Sequence, residues 1–322
     1  MVITAYLKLI RLPILLLIAA IQYSVRYFII EPMLRVNGFE LIMTEVEFGY
    51  LVLATVLIAA GGYAINDYFD AKIDRVNKPK TVVLDRLVPR RVAMLLHIVL
   101  TSLGFLLAAY MSYMVGYWKL ISLFLFAVFA LWFYSTNLKH QLLIGNITIA
   151  VMAGFVPLIV GLYEIPMQNA AHPESIEELG FSVFNVQAYW IMGYAAVFAV
   201  LTLAREISKD IIDLRGDRLY GSNTVPIAWG IRSSKLLLLA IYFLVLVGIS
   251  YMYVAVLSQH AWYLTALYFA VVGGLLIQPI IIYMAKTKRQ FMYSVAINNG
   301  LTLLVLASMY LIKLSIESYF SL

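Results

Sequence analysis

The chain has 322 residues, of which 63% are hydrophobic and only 12% charged, with a mean hydropathy of +0.91. Those values exclude an ordinary soluble domain and imply an all-α polytopic membrane protein. Cysteine is absent, which rules out disulfides, thiolate metal sites and a cysteine nucleophile.

A helix needs roughly 20 apolar residues to cross about 30 Å of hydrocarbon. Taken in chain order, runs of that kind fall at 12–30, 48–66, 92–112, 117–135, 141–163, 186–205, 235–257, 262–285 and 293–313. Nine transmembrane helices are therefore expected. The first follows Lys8 and Arg11 with no small-residue cleavage site behind it, so it is expected to be a retained helix. Asn146 and Pro157 lie within a span, which is tolerated where neighbouring helices satisfy the backbone.

Sidedness follows from the basic residues. With the N-terminus cytoplasmic, 19 of the 23 Lys and Arg fall on the inner side, and Arg35, Lys119 and Lys313 on the outer side. Arg26 lies within the first span, toward its outer end, where it either snorkels or faces a polar cavity. The net charge of +6 thus reflects topology and gives no reason to expect nucleic acid as a partner. An integral protein of the cell membrane, with its active site facing the cytoplasm, is expected.

All seven aspartates fall on the inner side, and six form two groups: Asp67, Asp70 and Asp74 after the second run, and Asp210, Asp213 and Asp217 after the sixth. Both groups read D-x-x-D-x-x-x-D at a constant offset of 143 residues, and Arg75 and Arg218 follow at the same offset. This spacing suggests one membrane domain over 1–322, with a parallel repeat of four helices each at about 1–135 and 141–285 and a ninth helix left over. Positions i, i+3 and i+7 share a helical face if the helix continues a turn or two past the membrane surface. Three like charges on one face repel. A hard divalent cation such as Mg²⁺, which takes oxygen ligands from carboxylates, water and phosphate, gives them a purpose. The alternative is a solvated helix end with surface ion pairs, which a duplicated triad disfavours. The basic residues Arg75, Lys78, Lys80, Arg86, Arg90 and Arg91 nearby suit a diphosphate, although topology alone also predicts cations in this loop.

The sequence Asn66-Asp67-x-x-Asp70-x-x-x-Asp74 followed by Asn77-Lys78-Pro79, and Lys209-Asp210-x-x-Asp213-x-x-Gly216-Asp217 followed by Gly221 and Thr224-Val225-Pro226-Ile227, resemble the two Asp-rich signatures of the UbiA superfamily of intramembrane prenyltransferases. The resemblance covers nearly the whole chain. It implies nine helices around a central cavity capped by cytoplasmic loops, and Mg²⁺-dependent transfer of a prenyl group from an isoprenyl diphosphate to a lipophilic acceptor. It further implies that Asn66, Asp67, Asp70, Asp74, Asp210, Asp213 and Asp217 bind the metal. Asn66, Arg75, Arg218 and Lys209 would bind the diphosphate. Tyr134 and Lys139, in a segment similar to the family's Y-x-x-x-L-K and preceding Gly145-Asn146, would reach the diphosphate as well. Asp67, Asp70, Asp213, Tyr134 and Lys139 would be the catalytic set. Tyr134 and Lys139 also admit a plainer reading, as interfacial aromatic and orientation signal.

Within the superfamily, N-K-P and R-E-x-x-K-D-x-x-D-x-x-G-D-R look most like the branch that makes digeranylgeranylglyceryl phosphate, with homogentisate and chlorophyll prenyltransferases as neighbours. Geranylgeranylglyceryl phosphate is the favoured acceptor and an aromatic quinone or tocopherol-type precursor the alternative. The chain departs from relatives at Lys80-Thr81-Val82-Val83-Leu84-Asp85 and at Ile14, where many relatives carry Asn. A cation-coupled transporter is the competing class, but transporter sites lie near the bilayer midplane and these acids lie at one face. Glu206 either adds a ligand or pairs with Arg205 or Lys209. His97 and His260 are expected to be structural.

Overall fold

The computed structural model describes residues 2–79, 82–173, 184–257 and 261–320; Lys80, Thr81 and His260 lie outside the described residues. Nine helices among the described residues are long and apolar enough to cross a membrane. They are α1 (Leu12–Val36), α2 (Glu45–Asn77), α3 (Arg90–Met114), α4 (Trp118–Thr136), α5 (Ile144–Ala171), α6 (Asn185–Leu219), α7 (Gly230–Ala255), α8 (Trp262–Met284) and α9 (Lys288–Phe320). A short helix, Val2–Leu9, precedes them.

The expected runs all become helices, but several helices outrun their apolar cores. At 1.5 Å per residue, the 33 residues of α2 and the 35 of α6 reach about 50 Å, well beyond the hydrocarbon thickness. The acidic stretches are thus the projecting last turns of these two helices. A hydropathy reading stops where charge begins, whereas the backbone ladder continues.

Local signals explain several helix starts. Thr44 Oγ1 accepts the Glu47 amide and Glu47 Oε2 accepts the Thr44 amide, a reciprocal cap for α2. Arg11 and Leu143 hold left-handed φ values of 54° and 61° immediately before α1 and α5. Such values are uncommon for residues other than glycine. Pro13 follows in the first turn of α1, where its missing N–H is harmless.

Helix α2 packs closely on α3, and α5 on α6. Small residues allow the approach: a side chain at Gly104 of α3 would meet Ile58 Cγ1 at 2.8 Å and the Ala54 carbonyl at 2.9 Å. The buried core runs between α1, α2, α5, α6 and α9, with Ile29, Leu51, Tyr163, Leu201 and Met309 essentially inaccessible. Large apolar side chains such as Leu106, Phe126, Phe243 and Ile280 are exposed on the outside of the bundle. That is the pattern of a surface solvated by lipid.

Contacts between helix ends define two faces of the bundle. The N-terminal helix packs Ala5 and Leu9 against Ala71, Leu84, Val88 and Ala93, next to the acidic ends of α2 and α6. At the opposite end, Arg26 is buried and ion-paired with Glu164 of α5 at 3.2 Å. Its guanidinium also donates to the Met43 carbonyl and lies 4.5 Å from the centre of the Phe48 ring. Glu164 Oε1 accepts the Ile42 amide at 2.8 Å, and Gln168 donates to the Glu40 carbonyl at 2.7 Å. Arg26 therefore neither snorkels nor faces the cavity. It pins the segment between α1 and α2 over this end of the bundle.

Candidate active site

The two acidic helix ends meet. Asn66, Asp67, Asp70 and Asp74 project from the last turns of α2, and Asp210, Asp213 and Asp217 from those of α6. Lys78, just past α2, lies 2.8 Å from Asp213 Oδ2 and 3.8 Å from Asp74 Oδ1, so one ammonium joins both groups. A second join is made by Asn77, whose Oδ1 accepts the Gly216 amide at 2.8 Å. A side chain at Gly216 would collide with that amide group at 2.5 Å, which is the physical reason for glycine in the second motif.

Asp67, Asp70 and Asp210 have partners of their own. Asp67 pairs with Arg11 at 3.1 Å, and Asp70 with Lys139 at 2.6 Å. Asn66 donates to Asp70 Oδ2 at 2.9 Å, and Asn146 to Asp210 Oδ2 at 2.9 Å. Lys288, at the start of α9, lies 3.7 Å from Asp213 Oδ1 and donates to the Asn77 carbonyl. Asp217 accepts the Ser222 amide through its carbonyl at 2.9 Å, turning the chain back after α6.

Lys139 reaches Asp70 because the chain between α4 and α5 tucks tightly against the start of α5. A side chain at Gly145 would stand 2.6 Å from Lys139 Cα and 2.8 Å from the Leu138 carbonyl. His140 secures the same turn from the other side: Nδ1 meets Ser222 Oγ at 2.8 Å and its carbonyl accepts the Asn223 amide at 2.8 Å.

Charge follows this geometry. Burial opposes the charge on Lys78, but Asp213 and Asp74 outweigh it and raise its pKa. Burial likewise opposes Arg11, and Asp67 with Tyr63 reverses it, so Arg11 is also raised. For His140, burial and then Lys139 both lower the pKa, against a smaller opposing effect of Asp70.

A cavity of about 200 Å³ opens beside these groups. The end nearer the acids is walled by Arg11, Tyr63, Asn66, Tyr134, Arg205, Glu206 and Lys209, with no aspartate in the lining, and the depth by aliphatic and aromatic side chains together with Thr55, Thr202 and Thr302. Lys209 and Arg205 both bind Glu206 Oε1, at 2.8 and 3.1 Å. Glu206 is thus a paired wall residue, and Lys209 stands with it in the cavity wall. Arg75, expected at the diphosphate, pairs with Asp85 at 2.6 Å, where Arg90 joins it at 2.8 Å. Arg218 is exposed. His97 is structural, with Nδ1 3.0 Å from the Gly61 carbonyl.

No three Asp, Glu or His side chains among the described residues converge tightly enough to hold an ion alone. The donor chemistry nevertheless fits a hard cation. Asn66 Oδ1 and Asp213 Oδ1 are buried oxygens that accept no hydrogen bond, a costly arrangement for polar atoms unless a ligand uses them.

The sequence pattern singled out the acids, Tyr134 and Lys139, which lie at one end of the bundle, but not Arg11, Asn146 and Lys288 as partners of the acids. Asn146 stood in a noted motif without a role, and Lys288 carried no local signal.

The model of the UbiA prenyltransferase family matches residues 40–300. The chain belongs to this family. It is accordingly a prenyltransferase. Among similar UbiA relatives, digeranylgeranylglyceryl phosphate synthase from Methanothermobacter thermautotrophicus is 29% identical over 246 residues, 76% of this chain and 75% of that protein. The protein of the same name from Methanothrix thermoacetophila is 35% identical over 184 residues, covering 57% and 59%. A solved structure of a UbiA homologue from Archaeoglobus fulgidus, bound to DMAPP and Mg²⁺, superposes with a TM-score of 0.56 at 15% identity, covering 94% of this chain and 98% of that one. At that identity the likeness concerns the nine-helix fold.

Proposed function

We propose that this enzyme transfers a prenyl group from an isoprenyl diphosphate to a lipophilic acceptor in a Mg²⁺-dependent reaction, with geranylgeranylglyceryl phosphate as the favoured acceptor. The observation carrying this reading is the meeting of the two acidic helix ends, bridged by Lys78, at the mouth of an otherwise apolar cavity. The Archaeoglobus homologue bound to DMAPP and Mg²⁺ supports the donor and the metal. The relatives named digeranylgeranylglyceryl phosphate synthase support the acceptor.

On this reading Asn66, Asp67, Asp70 and Asp74 of α2 and Asp210, Asp213 and Asp217 of α6 hold the metal together with oxygens of the diphosphate. Oxygen donors shared between carboxylates and phosphate are the usual coordination of Mg²⁺. When bound, the ion supplies Lewis-acid neutralisation of the charge growing on the departing diphosphate. Lys139, Lys78 and Arg11 stand among the acids as preorganised cations for the same charge. Tyr134 lines the cavity at the reacting end and offers its hydroxyl to the diphosphate. The apolar wall keeps water from the allylic carbon once its bond to oxygen loosens. The acceptor hydroxyl oxygen bonds to that carbon as the carbon–oxygen bond to the diphosphate breaks, and the hydroxyl proton passes to the released diphosphate.

In the cavity wall Arg205 and Lys209 share the one carboxylate of Glu206, while Arg11 is paired with Asp67, which leaves one positive charge in excess. That excess favours an acceptor with an anionic head group. The 143-residue offset is read as a parallel repeat that brings two equivalent acidic ends to one membrane face. The count of basic residues supports placing that face in the cytoplasm and the protein in the cell membrane.

The test is prenyl transfer from geranylgeranyl diphosphate in membranes, offering geranylgeranylglyceryl phosphate beside dihydroxynaphthoate and hydroxybenzoate. Product with the glyceryl phosphate supports the assignment. Product with the aromatic acceptors alone overturns it in favour of aromatic prenylation.

A further inference from the structure

The wall of the cavity can be followed down each helix away from the acids. On α2 it runs from Asn66 to Thr55, on α4 from Tyr134 to Leu123, on α5 from Ile149 to Ile159 and on α6 from Lys209 to Phe198. Eleven residues of helix separate Asn66 from Thr55, a depth of about 16 Å.

At that depth the wall becomes aromatic and bulky. Phe124, Ile159 and Phe198 line the deep end beside Thr55, and all three are buried. Behind them lies a second layer. Tyr163, one turn beyond Ile159 on α5, stands edge-on to Phe124 with ring centres 6.3 Å apart. Its hydroxyl meets Ser112 Oγ of α3 at 2.7 Å. Tyr194, one turn beyond Phe198 on α6, is tied through its hydroxyl to Ser308 of α9 at 2.8 Å. A ring anchored by a buried hydrogen bond does not swing aside without leaving that group unpaired.

We propose that Phe124 and Phe198, backed by Tyr163 and Tyr194, are the floor that sets how many isoprene units of the donor the cavity accepts. The proposal rests on the reading above, in which the diphosphate sits at the acidic end and the hydrocarbon tail runs toward the floor. Phe124, Ile159 and Phe198 are apolar, so they contribute contact with the last isoprene unit and reject a longer chain by overlap. A difference of even one methylene in an apolar pocket discriminates about tenfold or more, and an isoprene unit is larger than that. Removing the Phe124 ring extends the cavity toward Tyr163, against which that ring packs. A larger side chain at Ile159 raises the floor.

The test is a series of all-trans donors of two to five isoprene units, assayed with the full-length protein in liposomes. The readout is the ratio of kcat/KM for each donor to that for the next shorter one. In Phe124→Ala the preferred length moves up by one unit and that ratio rises at least tenfold; in Phe124→Leu it rises less. Ile159→Phe moves the preference the other way, which keeps the test informative if the alanine variant folds poorly. Met152→Ala removes similar volume from the mid-wall and leaves the preferred length unchanged. Unchanged preference in both Phe124→Ala and Ile159→Phe, or an equal shift in Met152→Ala, overturns the floor while leaving the prenyl-transfer reading standing. Failure of the unaltered protein to transfer any donor of the series overturns that reading and the floor with it.

Discussion

Lys78 Nζ lies 2.8 Å from Asp213 Oδ2, so a residue just past α2 grips a carboxylate on α6 that is 135 positions away in sequence. The same ammonium lies 3.8 Å from Asp74, and its pKa is raised, with Asp213 and Asp74 overcoming the effect of burial. Lys78 therefore keeps its charge well into alkaline conditions.

Replacing Lys78 by Met removes the one cation that, among the described residues, pairs with both acidic groups. Lys78 is 46% exposed and Asp213 15%, so solvent screens the ammonium and the pair is worth about 1 kcal/mol, a fall of on the order of 2 °C in melting temperature. In thermal melts of the purified protein in chelator, Lys78→Met unfolds lower than the parent. Added Mg²⁺ raises the melting temperature of the variant by more than it raises the parent's. An equal gain in both proteins counts against metal binding between the two groups.

Arg26 and Glu164 are a fully buried pair. Removing one partner of such a pair costs about 3–5 kcal/mol, because the other charge is left uncompensated. Arg26→Met is expected to be strongly destabilised. The double variant Arg26→Met, Glu164→Gln recovers much of the loss and retains prenyl transfer, since neither residue is near the acids. Melting temperatures of the two single variants and the double variant check this directly.

Gly145→Ala places a carbon against Lys139 Cα and the Leu138 carbonyl, so the turn must shift and carry Lys139 off Asp70. Misplacing a catalytic group by about 1 Å lowers rates by up to roughly 100-fold. The expected result is a fall in kcat of about 10- to 100-fold together with a lowered melting temperature, because the contacts are to backbone and the overpacking costs about 1–3 kcal/mol. Gly193→Ala, where the added carbon meets open space, leaves kcat unchanged.

His140 has a lowered pKa, caused by burial and then by Lys139. A histidine whose folded pKa is depressed contributes stability above its unfolded pKa and loses it as pH falls through the folded value. Between pH 7.5 and pH 5 the parent is therefore expected to lose more stability than His140→Asn. Parallel thermal melts at the two pH values measure the difference.

Much of this molecule could be read before its structure. The nine spans follow from hydropathy alone, because a bilayer demands long apolar runs and tolerates little else. The acids of α2 and α6 were legible because a 143-residue offset repeats their spacing and the family signature matches it. What stayed hidden depends on three-dimensional closure. Lys288 reaches Asp213 only because α9 begins beside the end of α6. Arg75 looked equivalent to Arg218, yet it turns to Asp85, a residue with a left-handed φ of 63° in the loop before α3. Lys209 shared the second motif with Asp210, but one step along a helix rotates a side chain by about 100°, which places it in the cavity wall with Glu206. Arg26 was ambiguous because its partner Glu164 lies 138 residues away.

The central claim is that the acidic ends of α2 and α6 together carry out prenyl transfer. The most direct measurement is Mg²⁺-dependent transfer from geranylgeranyl diphosphate in membranes containing equal amounts of the parent, Asp70→Ala or Asp213→Ala. One variant comes from each helix end. The account predicts that each loses at least about 100-fold in rate, the scale for removing one preorganised electrostatic group, with no recovery at higher Mg²⁺. Parental rates in either variant would contradict it.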